Sequence, residues 1–384
     1  MQGRNDPCVF YKPDVDHLVI LWVDDVLSHG VDAVTAEFYK RLDKKFGICE
    51  PTYLTDETPL DFVSFIISQE TIDGKTYRYM DQERAVTDFV NEYGPGMSES
   101  VRSVTCPMPN KYAIGAHPEL LAEKEKKLYQ SMLGAINYFV STLRYDIAHP
   151  VSRLSQFSAN PTVGSMDALM RVVAYLGQTA SFCIGGCVTG VSDHFDFMCD
   201  SDHGGDRVAT LKSYTGMMFF QNGIPVHWRS NKQPMTTDSS AAAEVYALSQ
   251  AVKEARYFVW KAGEMGLREP EIIKMMVDNA QAISFQHRTC PHTKLKGVFD
   301  LRWDWVKDLQ DDGGVTTAYI NTKDNVADLL TKCHQSTDFN RLVQLSQCAN
   351  RKFSKLVNVA QVKVCFTKSG CDDICFNKRV RFDS

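Results

Sequence analysis

The sequence lacks any long hydrophobic run. The apolar run at residues 18–23 is too short for a signal-peptide core or a membrane span, and residues 1–17 are polar and charged. The twelve cysteines are scattered along 384 residues and form no dense disulfide framework. We therefore expect an intracellular protein of the cytoplasm, the nucleus or both, with reduced thiols and no membrane partner.

Positive charge is not in excess either. There are 42 Lys and Arg against 47 Asp and Glu, which gives a net charge of −5. This weakly disfavours a protein that coats DNA nonspecifically. It leaves open a nuclease with an acidic active site, because a local stripe of Lys and Arg is enough to hold phosphates. Hydrophobic residues make up 44% and charged residues 23%, as in ordinary globular domains, and the length allows two or three of them.

The first half of the chain contains no repeat or low-complexity tract, but its patterns change along its length. We predict a buried strand at 17–23 leading into a tight turn at Asp24 and Asp25, an amphipathic helix at 33–46, a linker or long loop at 91–118, and a helical block at 119–178.

After residue 187 the pattern becomes strand-rich. A hairpin is predicted around Asn222-Gly223, a strong turn dipeptide. The predicted order is β-β-β-α-β-α-β-α, with strands at 195–200, 213–223, 224–230, 272–277 and 315–320, and helical segments at 240–264, 279–311 and 326–345. Three antiparallel strands followed by alternating units predict an α/β fold with an α+β mixed sheet flanked by helices.

Four acids occupy positions that such a sheet would bring together. Asp200 ends the first strand, Asp278 follows the strand at 272–277, and Asp328 lies near the start of the last helix. Glu244 lies on the face of its helix that carries the apolar residues Leu248, Ala251, Val252, Ala255 and Val259. Two-metal nucleases need several carboxylates that converge on two cations.

Each acid also has a purely structural explanation. Asp200 fits a turn, Glu244 fits a favourable interaction with a helix N-terminus, and Asp278 fits an N-cap. Asp328 could form a capping pair with Asn325. The catalytic interpretation rests on all four acids occurring together, in order, in one domain.

Residues 195–345 resemble the ribonuclease H domain of copia-type retrotransposon polyproteins. The stretches that carry the resemblance are CDSDHGG, KSYTGMMFFQNGIPVHWRSNKQP, DSSAAAEVYALSQAVKEA, VDNAQAI and YINTKDNVADLLTK. The resemblance implies a ribonuclease H-like fold and two-metal hydrolysis of the RNA strand of RNA–DNA hybrids. Asp200, Glu244, Asp278 and Asp328 would hold two Mg²⁺ ions, with Mn²⁺ as a substitute.

The upstream part is similar to the same polyproteins. ILWVDDVL resembles the reverse transcriptase palm motif, in which paired aspartates, here Asp24 and Asp25, bind the polymerase metals. The block YQSMLGAINYFVSTLRYDIAHPVSRLSQFSANPT is similar to the segment that joins the polymerase to the ribonuclease H domain. The family's fingers and another metal-binding Asp lie well upstream of this motif, and only 23 residues precede Asp24. We expect that this chain alone does not polymerise DNA.

The chain departs from the family at several positions. Trp22 stands for a family Tyr, His203 for a Trp, and Ala242 for a Glu. Cellular ribonucleases H carry a His in the loop before the last helix, and the corresponding stretch here, INTKDN, has none. We therefore expect slow turnover.

The patterns and the resemblance together divide the chain into four parts. These are a truncated polymerase palm at 1–115, a connecting helical segment at 116–190, a ribonuclease H domain at 191–345, and a tail at 346–384 expected to be irregular or disordered. Candidate contacts to a hybrid, which is recognised by shape and 2′-hydroxyls, are Lys212, Ser213, Arg229, Asn231, Lys232 and Lys294. Each is more simply explained as a solvated surface residue, and the oligomeric state stays open.

Two other functions remain. The chain could be a non-catalytic transposon remnant that binds nucleic acid or a protein partner, or one piece of a split RNA-directed DNA polymerase. Activity on a hybrid with Mg²⁺ and EDTA separates the first from the nuclease. Primer extension with a supplied fingers–palm fragment tests the second.

Overall fold

A computed structural model describes most of the chain. The described residues are 1–95, 104–190, 193–205, 210–237, 239–279, 283 and 301–346, with the backbone of three short strands beyond them. Within these residues, no helix combines the length and the apolar character needed to cross a membrane. The architecture is mixed α/β, with antiparallel and mixed sheets and flanking helices.

The N-terminal residues form a small antiparallel sheet. Its strands are β1 (Val9–Lys12), β2 (His17–Trp22) and β3 (Asp25–His29), followed by helix α1 (Asp32–Phe46). The strand, the turn and the helix lie where they were predicted, but the strand is only partly buried, and β3 was not predicted.

A second, five-stranded sheet was missed from the sequence. It contains β4 (Leu60–Phe62), β5 (Phe65–Ile72), β6 (Lys75–Asp81), β7 (Phe182–Cys187) and β13 (Cys348–Asn350), in the order β13-β7-β6-β5-β4. Helix α2 (Glu83–Tyr93) follows β6. The strands come from three of the four predicted segments, and the division into domains stays a prediction.

The predicted helical block is confirmed as three helices. They are α3 (Glu123–Thr142), α4 (Ala148–Ser155) and α5 (Val163–Gln178). The loop before them is not a free linker, because Val104, Cys106, Met108 and Ile114 are buried against this block. The predicted linker is therefore a packed loop over residues 104–118, and residues 96–103 lie outside the described part.

A third sheet carries the acids singled out above. Its strands are β8 (Phe195–Ser201), β9 (Tyr214–Gln221), β10 (Ile224–Lys232), β11 (Ile273–Val277) and β12 (Val315–Tyr319), in the order β10-β9-β8-β11-β12. The first three pair antiparallel, and β8, β11 and β12 run parallel. Asn222 and Gly223, with φ of 52° and 78°, make the predicted hairpin turn.

Hydrophobic cores cover both faces of this sheet. Helices α6 (Ser240–Glu264) and α7 (Leu301–Asp311) pack on the face that presents Phe197 and Phe219. The other face presents Met198, Met218 and Met276 to the helical block, to the turn Val326–Leu330 and to α8 (Ser336–Leu345). The alternation along β8 thus sends neighbouring side chains to different cores.

Two predictions for the C-terminal part need correction. The helix predicted at 326–345 is interrupted: Val326–Leu330 is a 3-10 segment, and α8 begins only at Ser336. The predicted tail supplies strand β13 and a two-stranded pair, β14 (Val364–Cys365) with β15 (Cys375–Phe376). The rest of the tail, and the predicted helical residues 284–300, lie outside the described part.

Candidate metal centre

Asp200 and Asp278 meet because their strands run parallel side by side. Met276 of β11 pairs with Met198 of β8. Two residues further along both strands, the same register brings Asp278 beside Asp200 at the carboxyl edge of the sheet. Asp200 is 1% exposed. The location of both acids at strand ends, expected from the sequence, therefore has a simple topological cause.

Glu244 reaches the same edge from a helix. Ser239 caps α6 by accepting a hydrogen bond from the Ala242 N–H at 3.2 Å, and Glu244 follows in the next turn. Gln233 fixes this end of the helix to the sheet, since its Nε2 donates to the Ala243 carbonyl at 3.0 Å and to Thr215 Oγ1 at 3.1 Å.

The three acids form a cluster with metal-ligand spacing. One carboxylate oxygen from each of Asp200, Glu244 and Asp278 lies within 4.8 Å of the others. Carboxylate oxygens are the ligands that Mg²⁺ prefers. The donor set and its spacing therefore fit a divalent cation.

Asp328 approaches from the turn Val326–Leu330. Asn325 is completely buried and anchors this turn, because its Oδ1 accepts from the Ala327 N–H and its Nδ2 donates to the Cys199 carbonyl at 3.1 Å. Asn325 therefore is a cap, as expected. The Asp328 carboxylate, however, accepts a hydrogen bond from Lys332 Nζ at 2.9 Å.

Two neighbours of Asp328 also hold Asp200. The Thr331 hydroxyl donates to Asp200 Oδ2, and Lys332 Nζ lies 3.5 Å from the same oxygen. Lys332 thus forms ion pairs with Asp200 and Asp328 together. The turn that carries the fourth acid is fixed to the end of β8 by these contacts.

Crowding of the carboxylates changes their acidity. Burial raises the pKa of Glu244 well above its usual range, and the charges of Asp200 and Asp278 raise it further. Burial and Asp200 likewise raise the pKa of Asp278, and they raise that of Asp328 to about 8. A divalent cation that binds these oxygens therefore competes with protons for them.

Lys332 is the cation of this cluster. Burial acts to lower its pKa, but the charges of Asp200 and Asp328 outweigh burial and raise it. The ammonium group therefore stays charged beside the two carboxylates.

Sequence reasoning missed four polar residues around the acids. Besides Thr331 and Lys332 they are Asp202, whose pKa burial raises to about 6, and His334. The Nε2 of His334 donates to the Asp328 carbonyl at 3.0 Å, and burial lowers its pKa. The stretch INTKDN lies before the turn that carries Asp328, whereas His334 lies after that turn and before α8, which begins at Ser336. The motif TKCH was visible in the sequence, but the prediction placed it inside a helix.

The candidate nucleic-acid contacts are divided between two faces of β10. Arg229 forms an ion pair with Glu254 of α6, whereas Lys232 donates to Gln156, the residue after α4, on the opposite side. Asn231 is exposed and Lys212 is half-buried.

Ser213 has a different environment from the other candidate contacts. It is fully buried and accepts a hydrogen bond from the Gly204 N–H at 3.1 Å, so it orders a loop rather than facing solvent. Lys294 lies outside the described residues.

The paired aspartates near the N-terminus lie in an exposed turn. Asp24 and Asp25 lie where β2 turns into β3, and both are exposed. Within the described residues, neither belongs to a group of three metal-ligating side chains. Consequently, no third metal-ligating side chain in the described part of the chain joins these two aspartates at a possible metal site.

Comparison with known proteins identifies relatives over most of the chain. No family model matches. The chain is 27% identical over 343 residues to the retrovirus-related Pol polyprotein from transposon TNT 1-94 of Nicotiana tabacum, covering 86% of this chain and 24% of that protein. It is 24% identical over 345 residues to the Pol polyprotein from transposon RE1 of Arabidopsis thaliana, covering 90% of this chain and 22% of that protein.

A third relative matches a shorter part. The secreted RxLR effector protein 161 of Plasmopara viticola is 38% identical over 132 residues, which cover 34% of this chain and 89% of that protein. The chain spans about a quarter of the length of the Pol polyproteins it matches. Over most of its length the chain is therefore similar to retrotransposon Pol polyproteins, and it corresponds to a part of them.

Proposed function

We propose that residues 191–345 form a ribonuclease H-like domain that hydrolyses the RNA strand of RNA–DNA hybrids. The observation that carries the proposal is the convergence of Asp200, Glu244 and Asp278. They come from two strands and one helix, far apart in sequence, yet their oxygens lie within 4.8 Å of one another. Two of the acids are buried and Asp278 is half-buried, and such a group of acids is costly unless a cation binds it.

The fold around the cluster supports the same function. Three antiparallel strands, a helix and two further parallel strands give the order β10-β9-β8-β11-β12, with Asp200 on the central strand. The relatives are Pol polyproteins of transposons, and the resemblance described above implies a reverse transcriptase and a ribonuclease H in such polyproteins. A nucleic-acid substrate therefore fits both the site and the relatives.

In the proposed mechanism the position of each of the four acids determines which metal ion it would hold. Two Mg²⁺ ions, when bound, supply activation of the attacking water and stabilisation of the leaving oxygen. Asp200 lies between the Glu244–Asp278 side and the Asp328 side, so it would be shared by both ions. Thr331 holds the orientation of Asp200. Hydrolysis would leave a 3′-hydroxyl and a 5′-phosphate.

Recognition of the hybrid is proposed to rest on shape. The RNA strand offers 2′-hydroxyls, and phosphates of both strands need only local positive charge. Among the described candidate contacts, Arg229 and Asn231 are exposed and Lys212 and Lys232 are half-buried, so these four retain access to solvent. Each would contribute to binding without selecting a sequence.

The test uses the full chain and an RNA–DNA hybrid labelled on the RNA strand. The parent protein is expected to cut in Mg²⁺ and not in EDTA, and Asp278→Asn is expected to lose at least about a hundredfold in rate because one ligand charge is removed. Asp312→Asn, the same change at an exposed acid after α7, serves as control. Equal rates for Asp278→Asn and the parent would reject the assignment. No cutting by the parent would favour the non-catalytic alternative.

A further inference from the structure

Lys332 divides the carboxylate cluster into two unequal parts. One part is the group Asp200, Glu244 and Asp278, whose oxygens lie within 4.8 Å of one another. The other is the pair Asp200 and Asp328, and here Lys332 Nζ lies 3.5 Å from Asp200 Oδ2 and 2.9 Å from Asp328 Oδ1. The ammonium therefore lies within ion-pair distance of both acids of the second part, of which Asp200 also belongs to the first part.

The lysine also has a way out of this position. Its side chain is 40% exposed, whereas that of Asp200 is 1% exposed. A Lys ammonium is a compact charge on a flexible four-carbon stem. The side chain can thus swing into solvent while the two carboxylates stay in place, held by Thr331 and by the Asn325 anchor.

We propose that Lys332 is a positioning residue whose ammonium competes with a divalent cation for the space between Asp200 and Asp328. The inference rests on the proposed function, because it concerns the same carboxylates. An ammonium and a divalent ion that contact the same two carboxylates are close enough to repel each other strongly. The ion at the three-acid group consequently binds first, and the second ion binds more weakly because it must displace the lysine.

The test is calorimetric titration of the full chain with Mn²⁺, without any nucleic acid. The parent protein is expected to show one tight and one weak site. In Lys332→Met, which keeps length and removes charge, the weak site should tighten by about tenfold or more, since it no longer opposes an ammonium. Lys332→Arg keeps the charge and should bind the second ion as weakly as the parent.

A second measurement guards against misfolding of the variant. Lys332→Met leaves Asp200 and Asp328 without their counter-charge, so its melting temperature should be lower in EDTA and should rise more with Mn²⁺ than that of the parent. An unchanged or weaker second site in a folded Lys332→Met protein would overturn the inference. Failure of the proposed function would look different. In that case Asp278→Asn would not reduce Mn²⁺ binding in either the parent or the Lys332→Met protein.

Discussion

Asp200 of β8 pairs with Gly216 of β9. Because Gly216 has no Cβ, the turn that carries Asp328 can pack directly against it. A Cβ at Gly216 would lie 2.7 Å from the Ala327 carbonyl oxygen and 2.7 Å from Thr331 Cγ2. The close approach lets the Thr331 hydroxyl reach Asp200. The glycine is therefore required for the geometry of the site rather than for its own backbone conformation.

Gly216→Ala should consequently damage both stability and activity. The added methyl group meets the Ala327 carbonyl oxygen and the buried Thr331 methyl group, which cannot yield easily, so we expect a loss of about 1–3 kcal/mol in the free energy of unfolding. Displacement of the turn should lower hybrid cleavage by about tenfold or more. Thermal melts and cleavage rates measure the two effects.

Gly134→Ala is the matched control for this substitution. Gly134 lies inside α3, and a Cβ there meets nothing within 4 Å. This change should stabilise the protein by about 0.5–1 kcal/mol through helix propensity and leave cleavage unchanged. Equal effects of the two substitutions would contradict the packing argument.

The hydrogen bond from Thr331 to Asp200 is testable by itself. Thr331→Val keeps the shape of a fully buried side chain and removes the donor. We expect a loss of about 1–3 kcal/mol in stability, because Asp200 keeps a buried acceptor without its partner, together with slower cleavage. Thr331→Ser retains the hydroxyl and should preserve cleavage. The account would be wrong if Val and Ser behaved alike.

The raised pKa values of the acids predict how pH and a metal ion together affect stability. The pKa of Asp328 is about 8 in the folded protein and near 4 when unfolded, so the folded state binds more protons between these values. Stability from this group is therefore complete below about pH 4 and lost as pH rises through 8. Glu244 and Asp278 act in the same direction.

Mg²⁺ should reverse this loss, because it binds the deprotonated carboxylates. The difference in melting temperature between Mg²⁺ and EDTA should grow steadily from pH 5 to pH 8.5. In Asp328→Asn the growth should be smaller. A difference that stays constant with pH would show that the acids do not hold the ion.

The paired aspartates at the N-terminal turn should be dispensable for hybrid cleavage. Both are exposed and belong to a different sheet from the acidic cluster. The double change Asp24→Asn and Asp25→Asn should leave the cleavage rate within about twofold of the parent, as for most exposed substitutions. A large loss of cleavage would mean that the two parts of the chain are coupled. Primer extension with and without a fingers–palm fragment tests the polymerase alternative separately.

The acids could be predicted because local signals identified them. Asp200 and Asp278 each follow an apolar strand, and Glu244 shares a helix face with Leu248 and Val252. The end of a strand, the face of a helix and a turn dipeptide can all be recognised within a short window of sequence.

The residues that hold the acids could not be predicted in the same way. Thr331 and Lys332 were assigned to one long helix. Their contacts with Asp200 are not visible in a short window, since Thr331 and Asp200 are 131 residues apart. The second sheet was missed for a similar reason: β6 pairs with β7, about a hundred residues away. Its β5–β6 hairpin, however, has an Asp73-Gly74 turn that the sequence does display.

The most direct measurement is the rate at which the full chain cuts one labelled RNA strand in Mg²⁺, paired first with DNA and then with RNA. The account predicts cutting of the hybrid, little cutting of the RNA duplex, and loss of the hybrid activity in Asp278→Asn but not in Asp312→Asn. Equal cutting of both duplexes, or full activity in Asp278→Asn, would contradict it.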